Sequence, residues 1–229
     1  MPRLALMIDL ERCTGCKSCE AACKSEHALG PTERHNRVVW LGSKLEENSD
    51  NNQALDFLAL ACQHCERPAC IRACPVSPKA ISKNKETGVV TVNEDACVGC
   101  GECVTACPYG AMGFDPDGRH AVKCDLCSDR RAEGAATTAC AAVCPTKAIT
   151  FGARDELLKT TEANNREMIK NDPFLLGPAT IYLDRTTNKQ EKFDAADRNS
   201  PKVIDSFTNI SIDDTVFPYG HSREDREIN

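Results

Sequence analysis

Sixteen cysteines set in four quartets limit this chain more than any other feature of its 229 residues. The first quartet is Cys13, Cys16, Cys19 and Cys23, spaced C-x2-C-x2-C-x3-C. The second is Cys62, Cys65, Cys70 and Cys74, spaced C-x2-C-x4-C-x3-C. The third, Cys97, Cys100, Cys103 and Cys107, repeats the spacing of the first. The fourth is Cys124, Cys127, Cys140 and Cys144, spaced C-x2-C-x12-C-x3-C. Every quartet ends in C-x3-C, and Pro75, Pro108 and Pro145 follow the last three.

Three chemistries use dense cysteine. A disulfide scaffold favours a shorter secreted chain with a higher cysteine fraction. Structural zinc favours two Cys/His pairs separated by a spacer. Iron–sulfur cubes favour tight quartets, and C-x2-C-x2-C-x3-C-P is the bacterial ferredoxin run, whose fourth cysteine serves a second cluster. The spacing has a mechanical reading. C-x2-C-x2-C wraps a loop whose three thiolates converge on one cube, and the fourth cysteine starts a helix pointing elsewhere. A proline after it stops regular helix. Four such runs in tandem read as iron–sulfur ligation.

The quartets form an internal repeat, and two of them make one two-cluster module. Pro75 to Ala96 leaves room for a strand pair between quartets two and three, whereas Pro108 to Lys123 is tight. Spacing therefore favours an inner module from quartets two and three, nested inside an outer one from quartets one and four. Pairing one with two and three with four remains the alternative.

Composition agrees with a cofactor-filled interior. Seven Phe, 3 Tyr and 1 Trp are few large side chains for a chain this long, which should bury roughly 70% of its unfolded surface. A net charge of -6 argues against nucleic acid as a partner. The longest apolar run, Phe57 to Cys62, is far short of the roughly 18 residues a membrane helix needs. Leu4 to Ile8 is too short for an export signal, so no direct membrane span or leader is expected. Absence of a Ser–His–Asp set, a Walker loop or G-x-G-x-x-G points to a chain without substrate chemistry of its own.

The strings CQHCERPAC (Cys62–Cys70), CPYGAM (Cys107–Met112) and KCDLCSDR (Lys123–Arg130), with the quartets in this order, resemble the four-cluster electron-transfer (beta) subunits of DMSO reductase-type molybdopterin oxidoreductases. The resemblance spans about residues 3 to 152. It implies four [4Fe–4S] clusters in nested, cross-paired ligation. Cys13, Cys16, Cys19 and Cys144 would hold the first; Cys23, Cys124, Cys127 and Cys140 the second. Cys62, Cys65, Cys70 and Cys107 would hold the third; Cys74, Cys97, Cys100 and Cys103 the fourth. Cys100 stands where nitrate reductase-type relatives carry tryptophan and a three-iron cluster, so all four sites are expected to be cubes. Lys24 replaces the trailing proline of quartet one.

The implied function is relay of electrons between a large molybdopterin (Mo or W) catalytic subunit and a membrane quinone-reactive subunit or soluble carrier. The chain itself would be a non-catalytic subunit. A freestanding polyferredoxin or a hydrogenase-associated electron-transfer subunit is the alternative. The complex could face the periplasm, by co-export with the catalytic subunit, or the cytoplasm.

The expected fold is α+β: two nested ferredoxin-like modules plus a largely irregular C-terminal extension. The outer module takes residues 1–50 and 115–152, the inner one 51–114, and the extension 153–229. Strands are expected at Leu4–Asp9, Arg37–Leu41, Leu55–Leu60, Ala80–Ser82, Val89–Val92, Met112–Phe114, Ala121–Lys123 and Ala148–Phe151, with hairpin signals at Thr87-Gly88 and Asp117-Gly118. Helices are expected at Glu20–His27 and Asp155–Ile169. The extension reads as a solvated tail or an arm lying along a partner. His64, between two ligands, is expected to donate a hydrogen bond to cluster sulfur. Lys24, Lys123 and Arg130 could offset cluster charge. Tyr109 and Trp40 read as packing, and His27, His35, His120 and His221 as surface residues.

Overall fold

The computed structural model describes residues 2–40 and 57–184. Its elements, in order, are β1 (Leu4–Asp9), α1 (Ser18–Glu26), β2 (Asn36–Trp40), β3 (Phe57–Ala61), α2 (Ala69–Ala73), β4 (Ile81–Lys83), β5 (Val90–Val92) and α3 (Glu102–Ala106). There follow β6 (Gly113–Asp115), β7 (His120–Val122), α4 (Ser128–Ala132), α5 (Ala139–Val143), β8 (Ile149–Ala153), α6 (Arg154–Ala163) and β9 (Ile181–Leu183). Short strands and short helices are mixed along the chain, and every strand pair but β1–β9 is antiparallel, in keeping with an α+β fold. Leu41, Leu55, His221 and residues 185–229 lie outside the described residues, as does the side chain of Trp40.

β1 is the organising strand. It pairs antiparallel with β8, Leu4 opposite Ala153 and Ile8 opposite Ile149. Its other edge pairs parallel with β9, Met7 opposite Ile181. Successive side chains on a strand point to opposite faces, and both faces of β1 are covered. Ala5 and Met7 meet Leu157 of α6 and Ile181 of β9. Leu6 and Ile8 enter the main core with Leu58, Tyr109, Leu126 and Tyr182. Burial on both faces explains why Leu4 to Ile8 is a continuous apolar run.

The other strands form hairpin pairs: β2 with β3, β4 with β5, β6 with β7. In the turn between β4 and β5, Gly88 takes φ +72° and returns its N–H to Asn84 O at 2.9 Å. Helix α1 packs on α5, and α2 packs on α3. The first and last cysteine helices are thus neighbours, as are the middle two.

Two differences from the sequence reading concern the end of the described chain. α6 stops at Ala163 rather than Ile169, because Asn165 turns left-handed at φ +51°. Arg166 then forks onto the Asp9 carboxylate with contacts of 2.8 and 2.9 Å and draws the chain back across the sheet. Residues 164–183 accordingly return to add β9, a strand the sequence reading did not separate out.

Candidate cluster-binding site

A left-handed residue shapes the loop of all four cysteine quartets. It stands two positions after the first cysteine of each quartet: Gly15 (φ +69°), His64 (φ +42°), Gly99 (φ +69°) and Leu126 (φ +60°). In the second and fourth loops this residue's own N–H faces the first cysteine. His64 N–H points to Cys62 Sγ at 3.5 Å and Leu126 N–H to Cys124 Sγ at 3.4 Å. Glycine suits the position, and at Gly99 a Cβ would collide with the Arg119 carbonyl oxygen. His64 and Leu126 hold the same conformation against a steric cost of roughly 1–2 kcal/mol.

The C-x3-C runs place the third cysteine inside a helix and the fourth at its end. Cys70 lies in α2 and Cys74 closes it; Cys103 and Cys107 do the same for α3, and Cys140 and Cys144 for α5. This corrects the expectation that the fourth cysteine starts a helix. The residue before a proline is pushed out of helical geometry. Cys74, Cys107 and Cys144 accordingly take extended ψ values of 118°, 108° and 112°. Quartet one has Lys24 in place of proline, and there α1 runs on past Cys23 to Glu26.

Beyond each proline the chain curls back and aims N–H groups at the fourth cysteine. Cys74 receives those of Val76, Ala80 and Ile81. Cys107 receives those of Ala111, Tyr109 and Met112, and Cys144 those of Thr146, Ala148 and Ile149. Burial raises the thiol of Cys74 and of Cys144, yet these donors, preceded at Cys144 by the Thr146 hydroxyl, bring both below the usual cysteine range. Such fans stabilise sulfur that carries negative charge.

Cysteines distant in sequence are brought together. Cys74, Cys97, Cys100 and Cys103 line one small, partly open pocket, walled by Val76, Ala80, Ile81, Val98, Gly101 and Ala121. Burial pushes Cys65 up to about 12, reinforced by the charges of Cys62, Cys107 and Cys70. Cys70 rises to about 12 from burial and from Cys62 and Cys107. Cys23 and Cys124 are raised by burial first and then by Cys140. The charge of Cys127 raises Cys23 further, and that of Cys23 raises Cys124 further. Cys19 rises to about 12 from burial, with Cys140 and Cys13 contributing. Cys144 lies within electrostatic reach of Cys140. Cys16 and Cys100 are the two exposed cysteines.

Clustered thiols pushed this high would stay protonated at neutral pH. A Lewis-acid metal makes the thiolate form tolerable, so this donor set suits an iron–sulfur group. His64 provides a second test of fit. Its Nδ1 accepts the Val90 N–H at 3.0 Å, which leaves the ring hydrogen on Nε2. That Nε2 is buried and has no hydrogen-bond partner. An orphaned buried donor costs about 1–3 kcal/mol, and a cluster sulfur beside Cys62 and Cys65 would satisfy it. Burial first, and then Lys123, hold the imidazole well below its ordinary pKa, so it stays neutral.

Other expected residues fall elsewhere. Lys24 ties the α1 end to Gly30 O and Pro31 O at 2.7 and 2.8 Å. Arg130 pairs with Glu26 at 3.0 Å. Tyr109 is buried, edge-on to Phe174, and donates to Asn171 O at 3.1 Å. His27, His35 and His120 are partly buried rather than surface residues. The His27 and His35 rings lie tilted with centroids 4.8 Å apart beside Cys23, and burial first, then His27, lowers His35 to about 4. His120 is held between Asp115 and Glu94.

Sequence reasoning missed the cover over the second ligand loop. Ala179 N–H donates to Gln63 O at 2.7 Å, Glu66 N–H to Gly177 O at 2.8 Å and Arg67 N–H to Leu176 O at 3.0 Å. Tyr182, fully buried, accepts from Gln63 Nε2 at 3.0 Å. The alternation of Ala179, Ile181 and Leu183 with Thr180 and Tyr182 was the available signal.

Comparison with known proteins accords with this geometry. Residues 53–154 match the family described as 4Fe-4S dicluster domain, and residues 4–25 the 4Fe-4S binding domain family. The protein is 42% identical over 156 residues to the B subunit of anaerobic dimethyl sulfoxide reductase from Escherichia coli (strain K12), covering 66% of its own length and 74% of that relative. It is 31% identical over 187 residues to the thiosulfate reductase electron transfer subunit of Salmonella typhi, covering 82% and 95%. Against the B subunit of polysulfide reductase from Wolinella succinogenes it is 35% identical over 150 residues, covering 66% and 76%. With [4Fe–4S] ligation written into its loops and these relatives over most of their lengths, the protein belongs to the family of iron–sulfur electron-transfer subunits of DMSO reductase-type molybdopterin oxidoreductases.

Proposed function

We propose that the chain carries four [4Fe–4S] clusters in two nested modules and relays electrons for a molybdopterin catalytic subunit. Cys13, Cys16, Cys19 and Cys144 hold the first cluster, and Cys23, Cys124, Cys127 and Cys140 the second. Cys62, Cys65, Cys70 and Cys107 hold the third, and Cys74, Cys97, Cys100 and Cys103 the fourth. The outer module comprises 1–50 and 115–152, the inner one 51–114, and 153–229 is the C-terminal extension. The observation that carries this reading is the cavity lined jointly by Cys74 of quartet two and Cys97, Cys100 and Cys103 of quartet three. The packing of α1 on α5 and of α2 on α3 supports the nesting.

Bound clusters supply one-electron oxidation and reduction. The protein's part is to ligate, to exclude water and to set the charge around each site. Water exclusion at the second loop falls to residues 176–182, which lie across Gln63 to Arg67. Exposed Cys16 and Cys100 belong to the first and fourth ligand sets, so those two sites reach the surface. These are suited to partners: the Mo or W subunit at one, and a membrane quinone-reactive subunit or soluble carrier at the other. Among the described residues no helix is long and apolar enough to cross a membrane.

Isolation of the native complex through an affinity tag on this protein tests the partner. A large subunit should co-purify in near-equal amount, with molybdenum or tungsten and the fluorescence of oxidised pterin. Recovery of the iron-loaded protein alone, free of pterin and of either metal, would refute it.

A further inference from the structure

Among the described residues Lys123 is the one buried lysine or arginine, with 4% of its surface exposed. Its ammonium donates to Val90 O and, at 2.6 Å, to Cys124 O. No carboxylate among the described residues pairs with it, unlike Arg130 with Glu26 or Arg166 with Asp9. A buried charge without a counter-charge is strongly unfavourable, and two carbonyl dipoles meet only part of that cost.

The location indicates what completes the balance. Lys123 precedes Cys124, a ligand in the proposed second set, and its charge is felt at Cys70, a ligand in the third. Cys124 in turn feels the charge of Cys62. Lys123 therefore stands where the outer and inner modules meet. It is also joined to His64 through one residue: Lys123 donates to the Val90 carbonyl, while the Val90 N–H donates to His64 Nδ1. The neighbouring cations are engaged elsewhere. Arg131 donates to Leu126 O at 2.8 Å and lies over the Phe151 ring, and Arg3 reaches Glu66 at 3.6 Å.

We propose that Lys123 is the internal counter-cation of the junction between the second and third clusters, and that with Val90 and His64 it forms a buried bridge that favours the reduced state at both sites. The proposal rests on the four-cluster reading above. The effect is electrostatic: no bond forms or breaks. A fixed positive charge stabilises the more negative, reduced form, so removing it lowers the potential.

The test is an EPR-monitored redox titration of the anaerobically purified complex carrying Lys123→Gln or Lys123→Arg, with iron measured in each. Lys123→Gln keeps a donor and loses the charge. At a fixed potential near the midpoint it should lower the reduced-to-oxidised ratio of two clusters about tenfold, a shift of about 59 mV for one electron. The other two clusters should move much less, and Lys123→Arg should resemble the parent. Iron lost from Lys123→Gln but retained in Lys123→Arg would also support a need for charge. Potentials unchanged in Lys123→Gln, or both variants altered alike, would overturn the proposal. A parent complex with fewer than four clusters would instead contradict the reading beneath it.

Discussion

Stripping iron from the protein with a chelator, anaerobically and under reducing conditions, is expected to abolish most of its secondary structure. The described elements cannot stand alone. Helices α2, α3, α4 and α5 have five residues each, where isolated helices below roughly 12–15 residues are marginal in water. Pairs β4–β5 and β6–β7 have three residues per strand, and isolated hairpins are marginal as well. The main core itself contains Cys19, Cys62, Cys124, Cys140 and Cys144 among its buried members. Without metal, that interior becomes a set of crowded thiols around a void, with few aromatic side chains to fill it. Metal binding and folding are therefore one equilibrium. Far-UV circular dichroism should fall toward a coil-like spectrum as iron is removed, and recover only when iron and sulfide are restored. A metal-free protein that kept its native spectrum and melted cooperatively would contradict this.

Single cysteine-to-serine changes should map onto clusters across quartets rather than within them. Cys107→Ser should disturb the same EPR signal as Cys65→Ser, and Cys74→Ser the same one as Cys103→Ser. Each should cost up to about a quarter of the iron if its cube is lost, or change the signal of one cube in four if three irons remain. The reason is geometric. Extended ψ at Cys74, Cys107 and Cys144 ends each helix and turns the fourth cysteine toward the following loop. Were Cys107→Ser instead to disturb the signal shared by Cys97, Cys100 and Cys103, each quartet would hold its own cluster and the cross-paired scheme would fail.

The strands were legible because they obey local rules. Leu4–Asp9 was placed to the residue, and seven other strands lie within about two residues of their expected bounds. The prolines marked where regular helix stops after the fourth cysteine, although the short helices that end there were not themselves expected. What the sequence concealed depends on tertiary partners. Nothing local marks Arg166 as the residue that clasps Asp9, so the end of α6 and the return of β9 were not foreseen. His64 and Leu126 hide a left-handed turn that Gly15 and Gly99 display openly. His27 and His35 read as surface residues because their neighbours are polar, yet the fold brings them against Cys23. Lys123 was one of three candidate cations, and only burial separated it from Lys24 and Arg130.

Iron and acid-labile sulfide counted on anaerobically purified protein, together with EPR after stepwise reduction, address the central claim most directly. Sixteen cysteines in four cross-paired sets predict about sixteen irons and about sixteen sulfides per polypeptide, with a brown chromophore and four reducible centres. Colourless protein holding about four zinc ions, each in a tetrahedral thiolate site, and no labile sulfide would contradict it.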